Sequence, residues 1–219
     1  MKIKEIHLLS NNIIETERFY NTTLAVETEM MNKEEVSFLI GTTRLVFKKS
    51  AVQQPNYHLA FDIPNNKLEE AFNWLAERTL LLPVTESSKF ASFESWNATS
   101  IYFYDNNKNL LELICRADLL NESALPFSSN ALLYISEIGI VTDNVQEMAD
   151  ELIDKYGLAY YDKQTKQENF VVLGDETGLF ILVSPDRNWY PTTKKTKSFE
   201  TRIVFDTESG NDRLLIIEE

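Results

Sequence analysis

The sequence predicts an α+β protein built from repeated strand–helix–strand units, and three observations carry that expectation. Four short strand-like segments share one shape: Ile6-His7-Leu8-Leu9-Ser10, His58-Leu59-Ala60-Phe61-Asp62, Ile138-Gly139-Ile140-Val141-Thr142 and Arg202-Ile203-Val204-Phe205-Asp206. The first three run into a turn rich in Asn, Asp or Pro and then into a helical pattern. Two or three short antiparallel strand signals follow each helix.

In the first unit Ile13, Tyr20 and Leu24 mark the helical face, weakened by Thr22-Thr23. Strands are then expected over 36–40 and 45–47, joined by a Gly41-Thr42 turn. The second unit places Leu68, Ala71, Phe72 and Leu75 on one helical face, with acidic residues between them. A polar-aromatic stretch over 90–96, strands over 100–104 and 110–114, and a turn over 105–109 complete it. In the third, Val145, Met148, Ala149, Leu152 and Ile153 share a face, and Gly157 sits where a helix C-cap belongs. Strands over 169–173 and 179–183 flank its 174–178 turn. The fourth unit is short: a strand over 201–206, a Ser209-Gly210-Asn211-Asp212 turn and a strand over 214–217, with no room for a helix. Residues 117–130, with Pro126 and paired serines, read as a linker. Two paired-unit domains are therefore expected, 1–118 and 131–219, with the first two units packed together.

Composition narrows the function classes. Of 219 residues, 43% are apolar and 25% charged, which suits a globular core. Lys and Arg number 21 against 34 Asp and Glu, a net charge of −13 with no basic block, so nucleic acid is not an expected partner. No run approaches the roughly 20 apolar residues that span a bilayer, and the N-terminus lacks a signal-peptide pattern, so a cytoplasmic protein without a membrane partner is expected. A single cysteine, Cys115, excludes an intramolecular disulfide and any multi-cysteine metal site.

The run Asp105-Asn106-Asn107-Lys108-Asn109-Leu110-Leu111-Glu112-Leu113-Ile114 resembles the turn-and-strand signature Asp-Pro-x-Gly-Asn-x-x-Glu-Leu of the vicinal oxygen chelate superfamily. That group includes glyoxalase I, bleomycin-resistance proteins, fosfomycin-resistance enzymes and extradiol ring-cleavage dioxygenases. Asn106 and Lys108 replace the usual Pro and Gly, a change in the turn more than in the chemistry. The resemblance implies tandem βαβββ modules whose curled mixed sheets form a metal-holding cup. It also implies a two-histidine, one-carboxylate site, onto which His7, His58 and Glu112 map. The two histidines are the only ones in the chain, and each lies in the first strand of its unit.

Such a triad binds one face of a divalent ion and leaves positions open, which suits Fe(II) or Mn(II) first and Zn or Ni second. Each histidine needs an acceptor for its second nitrogen. Glu112 stands among Leu110, Leu111, Leu113 and Ile114, where a bare carboxylate would cost several kcal/mol unless a metal or proton relieved it. Glyoxalase-type sites draw a fourth ligand from the stretch that here reads Leu45-Val46-Phe47, so the resemblance favours the three-ligand, dioxygenase-like arrangement. The corresponding positions of the second half read as Gly139, Arg202 and Ile216, which carry no ligand set. The 175–178 and 185–191 stretches, the latter with Trp189 and Tyr190, read as turns and a surface aromatic anchor.

The resemblance gives Tyr102 the place of an active-site tyrosine, whose phenol could hydrogen-bond a metal-bound oxygen; it could equally pack with Phe103 and Tyr104. Arg116 could hold an anionic substrate group or end in solvent. With both histidines bound to metal, a general acid–base would be Tyr102 or a carboxylate such as Glu94. Two functions follow. One is a metal-dependent lyase or oxygenase, most like a ring-cleavage dioxygenase, acting on a small oxygen-chelating substrate as monomer or homodimer. The other is a non-catalytic antibiotic-binding protein of the bleomycin-resistance type.

Overall fold

A computed structural model describes residues 1–52, 54–185, 187–207 and 210–218. Ser209, which opens the expected final turn, and Asp186 of the 185–191 stretch lie outside these residues.

The first unit comprises β1 (Lys2–Ser10), α1 (Ile13–Thr22), β2 (Thr28–Met31), β3 (Glu35–Ile40) and β4 (Thr43–Lys49). The second comprises β5 (His58–Asp62), α2 (Leu68–Ala76), β6 (Ala91–Phe93), β7 (Ala98–Tyr104) and β8 (Leu110–Arg116). The third holds β9 (Tyr134–Val141), α3 (Val145–Tyr156), β10 (Phe170–Asp175) and β11 (Gly178–Val183). The fourth is the helix-free hairpin β12 (Thr201–Asp206) and β13 (Asp212–Ile217). Local signals explain the helix ends. Asn12 and Asn144 cap α1 and α3, accepting from the backbone N–H of Glu15 and Glu147. Gly157 ends α3 at φ 68°, a conformation that favours glycine, with its N–H donated to Ile153.

The strands form two mixed sheets. One has the order β13-β12-β1-β4-β3-β2, and the other β10-β11-β9-β5-β8-β7-β6. Here the expected grouping is corrected. The first unit pairs with the fourth through antiparallel β1 and β12, and the second pairs with the third through antiparallel β5 and β9. Both sheets therefore take strands from either side of 117–130, and the first two units do not share a cup. That segment is strapped down: Asn65 Nδ2 donates to Leu119 O, Asn66 Nδ2 to Ser123 O, and Phe127 N–H to Glu70.

One apolar core joins the sheets. It takes Ile6, Leu8 and Phe47 from the first, Leu59, Phe61 and Leu113 from the second, and the buried faces of all three helices. Polar ties reinforce the contact. Thr43 Oγ1 donates to Ile3 O and accepts from Ile135 N–H, and Asn107 Nδ2 donates to Thr16 Oγ1. A second, smaller core lines the other face of the seven-stranded sheet: Ala60, Trp96, Tyr102, Ile114, Val172, Ile181 and Trp189. Among the described residues no helix is long and apolar enough to cross a membrane.

Candidate metal centre

That second face is where the chemistry gathers. Strand register sets a row across four strands: Glu137 of β9 opposite Ala60 of β5, Ala60 opposite Glu112 of β8, and Glu112 opposite Tyr102 of β7. Directly opposed residues share a face, so both carboxylates and the phenol point into one cup. The single methyl of Ala60 leaves room between the carboxylates. His58, two residues along β5, falls on the same face. Ligand atoms of His58, Glu112 and Glu137 all lie within 4.8 Å of one another, and all three residues are buried.

The histidine is preset for ligation. Its Nδ1 lies 3.2 Å from the carbonyl of Leu110, so that nitrogen carries the hydrogen, and Nε2 faces Glu112 Oε2 at 3.5 Å. Burial lowers its pKa, which keeps the imidazole neutral. Trp189 packs beside the ring at 5.4 Å between centroids. Burial raises the Glu112 pKa, and the neighbouring Glu137 charge raises it further. Tyr102 is held well above its ordinary value by burial and by Glu112, to which it is hydrogen-bonded, so its phenol stays protonated. Ligand atoms around a common ion stand about 3–3.5 Å apart. The His58–Glu112 spacing meets this, and one neutral imidazole with two carboxylates is a donor set for a divalent ion. The residues fit a metal.

Arg116 is wholly buried and is not among the residues lining the cavity, although its partner Glu137 is. Its Nε donates to Asp62 at 3.0 Å and its Nη2 to Glu137 at 2.5 Å. Burial pulls its pKa down, but Glu137 and Asp62 outweigh burial and hold it above its ordinary value. Burial pushes Asp62 up to about 6 even against Arg116. Arg116 is thus the counter-ion of two buried carboxylates, and neither expected role, a substrate anchor or a solvent-facing end, fits it.

His7 lies elsewhere. It belongs to the six-stranded sheet, where its Nε2 pairs with Glu5 Oε1 at 2.5 Å. Glu137, which sequence reasoning missed, stands with His58 and Glu112 in its place. Gly139 holds the repeat position of the histidines, and Glu137, two residues before it on the same face, comes opposite Ala60. A usable signal was present: Glu137 is the lone carboxylate of a mostly apolar strand, as Glu112 is. Gly139 has its own reason, because a Cβ there would come within 2.3 Å of the Trp189 ring. Trp189, expected as a surface anchor, is 5% exposed and walls the cup; Tyr190 beside it stays 53% exposed. Glu94 lies in a short 3-10 turn before β7 and is not among the residues lining the cavity.

The cup encloses about 160 Å³. Trp96 helps close it, donating from Nε1 to Gln164 at 3.0 Å and meeting Tyr161 edge-on. A volume near 150 Å³ accepts a benzene-sized molecule, so the cup suits a small one.

A mixed α+β chain of curled sheets with this topology has the fold of the vicinal oxygen chelate superfamily. No protein-family model and no curated protein matches the sequence. Among solved structures, a "putative dioxygenase" from Bacillus subtilis subsp. subtilis str. 168 is similar at TM-score 0.60 and 16% identity, covering 84% of this chain. This chain spans 63% of that structure's length. A glyoxalase/bleomycin resistance protein/dioxygenase from Nocardioides matches at TM-score 0.45 and 16% identity, over 57% of this chain and 89% of that one. The fosfomycin resistance protein FosX of Listeria monocytogenes, complexed with Mn(II), matches at 0.41 and 22%, over 52% and 87%.

Proposed function

We propose that this chain is a divalent-metal-dependent enzyme acting on a small substrate that chelates the ion through two oxygens, with dioxygenase-like chemistry. One observation carries the reading: His58, Glu112 and Glu137 converge within 4.8 Å in an aromatic-lined cup, with the free imidazole nitrogen aimed at the carboxylates. Those three side chains would hold the metal, and a set rich in carboxylate oxygen suits Fe(II) or Mn(II). When bound, the ion would supply Lewis acidity and a template for substrate oxygens.

The remaining residues have roles of their own. Tyr102 keeps its proton and can donate it, as a hydrogen bond or outright, to an oxygen placed over Ala60. Trp96, Tyr102 and Trp189 orient a flat body and exclude water. Arg116 fixes Glu137 by one oxygen and balances Asp62, so the cup carries less uncompensated negative charge.

The test is anaerobic loading with Fe(II) or Mn(II), then a panel of catechols, then air. Ring-opened yellow product and oxygen uptake are expected, and both should fall by about 10²–10⁴-fold in Tyr102→Phe if its proton is used. Metal bound without oxygen uptake on any catechol removes the dioxygenase chemistry and leaves another metal-dependent reaction. A protein that binds neither ion becomes a sequestering protein of the bleomycin-resistance kind.

A further inference from the structure

The cup wall carries a guanidinium of its own, and its surroundings are the reverse of those of the buried Arg116. Arg187 lines the cavity from the segment after β11. Its two side-chain hydrogen bonds both leave from Nη1 and both end on neutral amide oxygens, Gln167 Oε1 at 3.1 Å and Asn169 Oδ1 at 3.0 Å. The guanidinium lies 4.6 Å from the centre of the Phe170 ring, another cavity residue. Its backbone is anchored, the carbonyl accepting from Thr196 N–H and Oγ1 and the N–H donating to Ser184 O. Among the described residues no carboxylate pairs with it; burial alone acts on its ionisation.

An arginine held in place with no carboxylate partner among the described residues, half-buried in a chain of net charge −13, is available to an anion that enters. Nη1 is occupied, but the fork has further donors, and a planar fork matches carboxylate geometry. Arg116 cannot serve, because Asp62 and Glu137 already engage it.

We propose that Arg187 is the anion-recognising residue of the cup, and that the substrate is a small organic acid with a flat apolar body. Its anionic group meets Arg187 while its oxygen pair faces His58, Glu112 and Glu137. The chelating half of this statement rests on the function proposed above. The anionic half stands on Arg187 alone.

The experiment compares 3,4-dihydroxybenzoate with its neutral isostere 3,4-dihydroxybenzamide on the full chain, with and without Mn(II). Binding is read by calorimetry and by quenching of tryptophan fluorescence, since Trp96 and Trp189 line the cup. One charge-assisted contact should favour the acid by about 10- to 100-fold. Arg187→Gln should bring that ratio near one while leaving amide affinity and Mn(II) affinity unchanged, and Arg187→Lys should restore part of the preference. Equal binding of acid and amide, a ratio that survives in Arg187→Gln, or no binding of the acid at millimolar concentration would each overturn the inference. Mn(II) binding is scored separately by the loss of the free-ion resonance signal. A protein with the acid preference but without Mn(II) binding keeps Arg187's role and loses the metal reading; the converse keeps the metal and loses the acid.

Discussion

His7 and His58 hold the same place in their units, and the parallel pairing of first and last strands shows what surrounds each. In the seven-stranded sheet His58 pairs with Leu110 and Ala60 with Glu112. In the six-stranded sheet His7 pairs with Val46 and Leu9 with Lys48. Leu9 therefore fills the space that Ala60 leaves open, and a lysine stands where the carboxylate would be. Arg202 lies directly across from His7, and Arg44 across from Glu5. The faces differ in cover as well. Leu39 and Ile216 on the His7 side are about half exposed, whereas the His58 side is roofed by Trp96, Tyr161 and Trp189. Of the two histidines at the repeated position, only His58 has a small neighbour, opposed carboxylates and an aromatic wall around it.

The largest expected effect breaks the buried side of this comparison. Arg116→Met strands Asp62 and Glu137 without their counter-ion, and the unfolding free energy should drop by about 3–5 kcal/mol in urea denaturation. Arg44→Ala, which removes pairs with Glu5 and Glu29 from the open sheet, should leave the midpoint nearly unmoved. Equal losses would show that the two faces do not differ in the way described.

Next comes the turn that joins the sheets. Asp105 is buried beside Tyr20, and burial raises its pKa to about 6 against hydrogen bonds from Asn107 and Asn109. A raised folded-state value means that this group's contribution is intact below its unfolded pKa near 3.9 and is lost as pH rises through about 6. The shift bounds the change at roughly 3 kcal/mol between pH 4 and 7. Asp105→Asn should flatten that stretch of the stability–pH curve, whatever it costs overall. An unchanged slope would show that Asp105 titrates normally.

A sharper contrast comes from the two histidines. His58→Ala should weaken Mn(II) binding by at least about 100-fold, or some 2.7 kcal/mol, while His7→Ala leaves it unchanged. Spin-resonance titration of free Mn(II) decides this, and a loss in His7→Ala would restore the triad expected from the sequence. The smallest effect is steric. Gly139→Ala pushes a Cβ against Trp189, and should cost about 1–3 kcal/mol and shift the tryptophan emission by moving the indole.

Much of this was readable in advance. The units, the helix faces and the Gly157 cap follow from period and turn chemistry, whereas the grouping of His58 with Glu112 comes from the family resemblance. What was not readable depends on contacts far apart in sequence. The antiparallel pairings β1–β12 and β5–β9 have no local signal, since the first strand of each unit could equally have paired with another unit. Glu137 meets Glu112 only through the long-range β5–β9 pairing, and Arg116's role depends on partners 54 and 21 residues away. Trp189 looked like a loop aromatic because nothing in its neighbourhood announces the Gly139 hollow that receives its ring.

The closure of β1 on β12 bears on how the chain can be made. The six-stranded sheet joins residue 3 to residue 205, so this pairing cannot form on the ribosome until the strand around residue 205 has emerged. The seven-stranded sheet lies wholly between residues 58 and 183 and can assemble earlier. Until the last hairpin arrives, one edge of β1 remains unpaired, a template for a stray strand. Cutting the chain near 118 would separate partners in both sheets, whereas joining its ends and reopening it between β4 and β5 would make each sheet contiguous in sequence. Such a permutant should fold faster than the parent, because its long-range pairings become short ones.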